Sequence, residues 1–185
     1  MHEARVLCIP YMELNMDMEW RGVSLYFNTK GDVFIIPDRG CPEYGMVESE
    51  PWFISHITEE DELYEKLKSA YDATAEGINA KPNPTPIEII TNIKNWERAT
   101  RGLGLLTFVW RKDINGFELL LYNRRGGGFA GYKDIKLGET LDHAAFKPIV
   151  LENLKAELAR HITKMEKKEH KKNLKKTKAN AEKKG

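Results

Sequence analysis

The sequence lacks the features that define several large classes of protein. Its 185 residues include two cysteines, Cys8 and Cys41, which form no CxxC pair, so we expect free buried thiols rather than a disulfide framework or a thiolate metal site. No apolar run approaches the roughly 20 residues that span a bilayer. The first residues lack the basic start, apolar stretch and cleavage site of a secretory signal. These absences predict a cytoplasmic location.

Motifs that carry catalysis are also missing. The five histidines show no HxxxH or HExxH spacing for a metal ion. No serine lies in a GxSxG motif, and no GK[ST] marks a phosphate loop. Carboxylates are plentiful, but the run Glu59–Glu62 falls at an expected helix start, where negative charge is favoured. We therefore predict that the protein is not an enzyme and uses no cofactor or metal.

The charge of the chain is unevenly distributed. Residues 164–185 carry ten lysines and three glutamates, a net of +7, whereas residues 1–163 carry 19 basic and 25 acidic residues, a net of −6. We interpret residues 1–163 as one globular domain. We interpret residues 164–185 as a lysine-rich tail that is either a frayed helix or disordered.

Apolar and β-branched runs separated by turn residues predict several strands. "NTKGD" and "DING" are turn signals inside two expected hairpins. The expected strands and hairpins are Arg5–Leu14, Gly22–Asp38, Trp52–Ile57, Gly104–Asn123 and Tyr132–Leu137.

Three helices are expected between and after these strands. Thr58 can cap a first helix that ends near Gly77, and the spacing of its apolar residues gives one buried face. "TPIE" at Thr85–Glu88 has the pattern of a capping box with proline at the first helical position. Pro148 fits the first turn of the last helix, which argues against one unbroken helix from Leu141.

The two halves of the chain repeat this order of elements. Residues 20–77 and 102–163 each read as two strands, a loop, a strand and a helix, with residues 78–101 forming a linker and a helix. We therefore predict an α+β fold with a mainly antiparallel central sheet of six or seven strands and helices chiefly on one face. An internal duplication of a β-β-loop-β-α unit is part of this interpretation.

The glycine-rich stretch "NRRGGGFAGYKDI", residues 123–135, raises the question of a phosphate site. Arg124, Arg125 and Lys133 could together bind an anion or contact a partner. A phosphate loop leads into a helix, whereas this stretch leads into an expected strand. Alternatively, this stretch is a connection between two strands, in which the glycines allow a positive φ.

Acidic and aromatic residues suggest a surface for a basic protein partner. Such a surface speeds association and adds specificity, although the same carboxylates could simply be solvated. The candidate partner-binding residues are Glu43, Tyr44, Glu48, Glu50, Trp52, Glu59, Glu60, Asp61 and Glu62. The carboxylates of Glu13, Asp17 and Glu19 belong to the same acidic set, and Tyr11 is a further candidate aromatic anchor.

A family resemblance rests on "NWERATRGLGLLTFVWRKDINGFELLLYNRRGGGF", "IKLGETL" and the closing "FKPIVLENLKAEL". Over about residues 95–158 the chain resembles the immunity proteins of contact-dependent growth inhibition and related polymorphic toxin systems. In those proteins a tryptophan-containing opening, a strand pair and a glycine-rich bend often precede a last helix. The resemblance implies stoichiometric occlusion of a cognate toxin domain, often a nuclease, without turnover. The lysine tail departs from this pattern.

Two other functions remain open. One is a nucleic-acid- or ribosome-associated protein, in which the lysines of the tail bind phosphates and Arg124 and Arg125 add further contacts. The other is that the protein is an enzyme whose active site carries no familiar motif.

Overall fold

The computed structural model describes residues 20–182, with side chains described as far as Thr177. The predicted strand Arg5–Leu14 lies outside the described residues. The same is true of Cys8, Tyr11, Glu13, Asp17 and Glu19.

The elements alternate between strand groups and helices. The first group is β1 (Trp20–Phe27), β2 (Asp32–Cys41), β3 (Gly45–Glu48) and β4 (Phe53–His56), followed by α1 (Glu60–Ala73). The short helices α2 (Pro86–Thr91) and α3 (Trp96–Ala99) come next. The second group is β5 (Gly104–Arg111), β6 (Gly116–Arg125) and β7 (Gly128–Gly138), followed by the long helix α4 (His143–Glu182).

All seven described strands form one antiparallel sheet. Their order is β3-β2-β1-β5-β6-β7, and β4 pairs with the first part of β2, so β3 and β4 share one edge. The predicted α+β fold and antiparallel sheet are therefore confirmed. β7 lies at the opposite edge, where Lys133, Asp134 and Lys136 are exposed.

The two halves meet at the centre of the sheet. β1 pairs antiparallel with β5 over eight residue pairs, from Trp20 opposite Arg111 to Phe27 opposite Gly104. Each half consists of consecutive antiparallel strands followed by a helix. The second half has the predicted three strands and a helix, whereas the first half contains the additional strand β3. The internal duplication stays a prediction.

The main core lies between one face of the sheet and helices α1 and α4. It is built from alternate residues of β1, β2, β5 and β6, because successive side chains of a strand point to opposite faces. Its buried members include Val23, Leu25, Phe27, Val33, Ile35, Leu63, Leu67, Leu106, Phe108, Leu119, Leu121, Phe146, Val150 and Leu154.

A smaller core covers the opposite face, beneath α2 and α3. Its buried residues are Tyr26, Ile36, Ile87, Ala99, Leu103 and Leu105, and Phe34, Trp52, Ile90, Trp96, Tyr122 and Phe129 pack against them. The longer helices thus share one face of the sheet, as predicted, and the linker covers the other.

The ends of α1 differ from the prediction. The N-cap is Glu59, and the Thr58 hydroxyl instead contacts His56 Nδ1 at 2.8 Å. The helix ends at Thr74 rather than near Gly77. The acidic first turn stabilises the helix through its dipole and supplies no side-chain cap.

The region predicted to form the second helix contains two short helices, α2 and α3. The capping box at Thr85 and Glu88 is present, with Pro86 in the first turn. Asn92 then adopts a left-handed conformation, with φ of 53°, and Asn95 caps α3 by accepting the Arg98 N–H at 3.2 Å. Two asparagines therefore break what the apolar spacing suggested was one helix.

Two further elements correct the sequence prediction. α4 runs unbroken from His143 through Pro148, and Asp142 caps it by accepting the N–H groups of Ala144 and Ala145, both at 3.1 Å. Proline costs one backbone hydrogen bond here, which the buried face of the helix offsets. Strand β3 lies between the expected elements Gly22–Asp38 and Trp52–Ile57, where the sequence predicted no strand.

A close approach between β1 and β5 gives a test of this core. The ring of Phe27 lies over Gly104, where an added Cβ would be 2.2 Å from the ring. We expect Gly104→Ala to lower the free energy of unfolding by about 1–3 kcal/mol, because Phe27 must leave its position. Gly40→Ala in β2 is the control, since a Cβ there meets nothing within 4 Å. Denaturant unfolding curves compare the two variants, and equal stability would contradict the packing described.

Candidate functional site

A cluster of buried and half-buried polar side chains lies on the second face of the sheet. Asp38 of β2 stands directly opposite Glu48 of β3. Ser24 of β1 is next to this pair, and its hydroxyl donates a hydrogen bond to Asp38 Oδ2 at 3.0 Å. Two carboxyl groups are therefore brought to one buried place by the register of three strands. We call Ser24, Tyr26, Asp38, Glu48 and Trp96 the carboxyl cluster.

Glu48 is held inside the protein by Tyr26. The Tyr26 hydroxyl donates to Glu48 Oε1. The second oxygen, Oε2, is buried and has no hydrogen-bond partner among the residues that the structure describes. Trp96 of α3 also interacts with both side chains. An unpartnered buried carboxylate oxygen is costly when charged, so this arrangement favours the protonated acid.

The pKa values of the cluster reflect this burial. Removal from water raises the pKa of Glu48 to about 7, which the hydrogen bonds from Tyr26 and Trp96 partly oppose. Burial, together with the nearby Glu48 charge, raises the pKa of Asp38 well above its usual range. The pKa of Tyr26 is raised in the same way, by burial first and then by Glu48. Burial therefore favours the protonated form of both carboxyls, and Glu48 loses its proton near pH 7.

The linker connects the carboxyl cluster to the protein surface. Glu88 of α2 accepts the Thr85 N–H and hydroxyl, both at 2.8 Å, and also accepts from the Asn95 N–H. Lys81 lowers the pKa of Glu48 through its charge, and its ammonium lies 5.6 Å from the centre of the Tyr44 ring. One lysine thus contacts the exposed ring of Tyr44 and also acts on Glu48 through its charge.

The structure divides the predicted partner-binding residues into two groups. The first lies along the edge formed by β3 and β4. Glu43 and Glu50 are exposed, Tyr44 is 54% exposed, and Trp52 is half-buried against the second-face core. We call these four residues the edge patch. The carboxylate of Glu48 turns inward to Tyr26 and does not contribute to this patch.

The second group lies at the start of α1, near the opposite end of β2. There the carboxylates of Glu60, Asp61 and Glu62 form ion pairs with Lys155, Lys147 and Lys66. Glu59 accepts hydrogen bonds from Ser55 and from the His56 N–H. Lysines from α1 and α4 therefore neutralise much of the charge that the sequence assigned to a docking surface.

The glycine-rich stretch is a hairpin turn. β6 ends at Arg125, β7 begins at Gly128, and Gly126 has a φ of 56°. Arg124 points inward, where its guanidinium donates to the carbonyl oxygens of Thr100 at 2.7 Å, Glu97 at 3.0 Å and Gly127 at 3.2 Å.

The predicted anion loop is therefore not assembled as one group. Arg124 joins the turn to α3, whereas Arg125 and Lys133 are exposed and have no ion pair within the described part of the chain. Of the two interpretations of this loop, the strand connection agrees with the observed geometry.

Other kinds of site receive no support from the geometry. No group of three or more His, Cys, Asp or Glu residues within residues 20–177 could hold a metal ion. Cys41 is a buried free thiol. No helix in the described part of the chain is both long and apolar enough to cross a bilayer.

Comparison with known proteins adds no family assignment. No protein-family model, no curated protein and no solved structure matches this chain.

Sequence reasoning missed most of the carboxyl cluster. Asp38 was the last residue of the expected hairpin Gly22–Asp38, and Tyr26 was one of its aromatic residues. One signal was present: Ser24, Tyr26 and Asp38 each occupy a polar position inside a strand of apolar character. A polar side chain in a sheet that is covered on both faces needs a hydrogen-bond partner. The position of Asp38 opposite Glu48, however, depends on strand β3, which was not predicted.

The raised pKa of Glu48 predicts a pH-dependent stability. In the unfolded chain this carboxyl loses its proton near its usual pKa, whereas in the folded protein it retains the proton to about pH 7. The stabilising effect is thus complete at acidic pH and is lost as the pH rises towards and through 7. We expect the free energy of unfolding to fall by up to about 3 kcal/mol over this range.

The variant Glu48→Gln tests this assignment, because an amide does not titrate. Its stability should vary less with pH than that of the wild type when unfolding is measured at a series of pH values. The remaining dependence would come from Asp38, whose pKa falls once the Glu48 charge is removed. Glu43→Gln, at an exposed position, is the matched control and should retain the wild-type dependence. If the free energy of unfolding changed equally with pH in both variants, Glu48 would not be the titrating group.

The role of Arg124 gives a separate test. We expect Arg124→Lys to lower the free energy of unfolding by about 1–2 kcal/mol. The reason is that one ammonium group cannot replace a guanidinium that donates to three carbonyl groups. Arg125→Lys, one position along the same strand but exposed, should leave stability unchanged. Thermal and denaturant unfolding of the two variants decides the matter. A destabilised Arg125→Lys with an unaffected Arg124→Lys would reverse the assignment.

Proposed function

We propose that the protein is an immunity protein, which binds a cognate toxin domain and neutralises it by stoichiometric occlusion. The observation that carries the proposal is the edge patch. There, exposed carboxylates and a largely exposed aromatic ring lie together along one edge of the sheet.

The charge of the edge patch supports a basic partner. Neither Glu43 nor Glu50 forms an ion pair with any residue between 20 and 177, in contrast to Glu60, Asp61 and Glu62. The domain that carries the patch, residues 1–163, has a net charge of −6. Such a field speeds the approach of a positively charged surface and discriminates against acidic ones.

The aromatic residues of the edge patch supply contact area. Tyr44 is 54% exposed, and Ile54 farther along the same edge is 45% exposed. Tyrosine and tryptophan are frequent anchors in protein interfaces because they bury a large, rigid surface. Trp52 is already packed on one side against the second-face core, so it loses little freedom when a partner covers the other side.

The mechanism that follows requires no turnover. A toxin that cleaves nucleic acid holds phosphates in a basic site, and the Glu43 and Glu50 carboxylates can take the place of those phosphates. Tyr44 and Trp52 then contribute dry contacts that slow dissociation. The expected complex has one inhibitor for one toxin domain and blocks access of the substrate.

The test uses the tagged full-length chain to capture its partner from source cells, followed by expression of that partner alone and together with the chain. We expect the partner to arrest growth when expressed alone. Co-expression with the wild-type chain should restore growth, and the purified pair should elute as a 1:1 complex.

The triple variant Glu43→Lys/Tyr44→Ala/Glu50→Lys should lose protection, because it reverses the charge and removes an anchor. The control is Glu139→Lys/Glu152→Lys, which makes the same change in net charge at exposed positions on other elements. Affinity measured by calorimetry should fall more than about tenfold in the first variant and little in the second. Equal loss in both, or a partner without toxicity, would refute the proposal.

A further inference from the structure

The lysine-rich tail is a helical arm rather than a coil. α4 continues without a break to Glu182. The helix contacts the domain through His161, whose Nε2 lies 2.9 Å from the Gly102 carbonyl oxygen, and Met165 lies beside the same glycine. Beyond Met165, every described residue as far as Thr177 is exposed. We call residues 166–182 the basic arm, which is about 25 Å long at 1.5 Å per residue.

The lysines at the start and along the basic arm share one side of the helix. At 3.6 residues per turn, Lys164, Lys168, Lys171 and Lys175 fall within an arc of about 60°. The other lysines between residues 166 and 177 are Lys167, Lys172 and Lys176, which flank this arc. The opposite side of the helix carries Glu166, Glu169, Asn173 and Thr177.

This lysine face is destabilising by itself. Like charges four residues apart repel and cost a few tenths of a kcal/mol for each pair. The pairs with this spacing are Lys164/Lys168, Lys167/Lys171, Lys168/Lys172, Lys171/Lys175 and Lys172/Lys176. None of these lysines has an ion-pair partner among the residues with described side chains. An anionic ligand that spans several turns would remove the repulsion.

We propose that this lysine face binds the phosphate backbone of duplex nucleic acid, independently of base sequence. Successive lysines on one side of a straight helix present a row of cations to a regular row of phosphates, and binding releases condensed counterions. The face holds no arginine, asparagine or glutamine that could read base edges. The inference does not depend on the identity or existence of a toxin.

The position of the basic arm keeps it clear of the acidic domain. Charges in solution are screened over about 8 Å at physiological salt. The arm extends roughly three times that distance beyond its last described contact, so the charges of residues 20–163 are screened from its outer turns. Arm and domain therefore act as separate electrostatic surfaces.

A membrane fits the arm less well than nucleic acid. A helix that lies in a lipid interface needs an apolar face opposite its basic one. Here the opposite face is polar, and Leu174, 49% exposed, is the one large apolar side chain between residues 166 and 177. Charge attraction alone would then have to hold the helix at the bilayer.

The experiment measures binding of the full chain to a fluorescein-labelled DNA duplex of arbitrary sequence, by fluorescence anisotropy at several salt concentrations. We expect affinity to fall steeply as salt rises. The variant Lys168→Gln/Lys171→Gln/Lys175→Gln should bind at least tenfold more weakly at low salt, and its log–log salt slope should be smaller by about 3, at roughly 0.9 for each phosphate contact.

A matched control separates the arm from net charge. Lys30→Gln/Lys94→Gln/Lys136→Gln removes the same charge from exposed positions on the domain and should bind like the wild type. The inference is overturned if the wild-type chain does not bind the duplex at low salt, or if both variants lose affinity equally. Binding to phosphatidylserine-containing vesicles in the absence of duplex binding would also overturn it. The arm variant should keep its near-ultraviolet circular dichroism, because its altered residues contact nothing in the domain.

Discussion

The pairing of β1 with β5 is the interaction on which the rest of the fold depends. It joins strands that lie more than 75 residues apart in the chain, so it closes a long loop at an entropic cost that local hairpins do not carry. Once it forms, hairpin β1–β2 and hairpin β5–β6 become one continuous sheet, and α1 and α4 share a single apolar face. The tight contact of Phe27 with Gly104 lies at the end of this pairing.

The same pairing creates a second face that must also be covered. The linker between the halves supplies the cover through α2 and α3, and it seals a set of polar groups beneath it. Asp38 and Glu48 can remain there because burial raises the pKa of both carboxyls and favours their protonated forms, and because Ser24 and Tyr26 donate hydrogen bonds to them. The region that positions the edge patch is thus held partly by groups sensitive to pH, whereas the main core on the other face is apolar.

Local patterns predicted most of the fold, and long-range contacts explain what they missed. The hairpins at "NTKGD" and "DING", the capping box at Thr85 and the apolar face of α1 all depend on near neighbours. β3 was missed because proline and glycine surround it and its partner β2 alone makes it a strand. The effect of Pro148 was misjudged because helix propensity penalises proline, whereas the packing of α4 against the sheet keeps the helix continuous through it. The edge patch was named from composition, but the inward turn of Glu48 and the lysine partners of α1 come only from tertiary structure.

The last strand of the sheet has a consequence for how copies of this protein meet one another in solution. β7 is eleven residues long, and an unprotected edge of that length is a template for strand addition and aggregation. Exposed Lys133, Asp134 and Lys136 alternate in sign along it, and register shifts against β6 near Phe117 and Tyr122 distort its path. A second β7 aligned beside the first would have to bury these charges and match an irregular backbone. The edge therefore resists self-association although no other strand of residues 20–182 pairs with it.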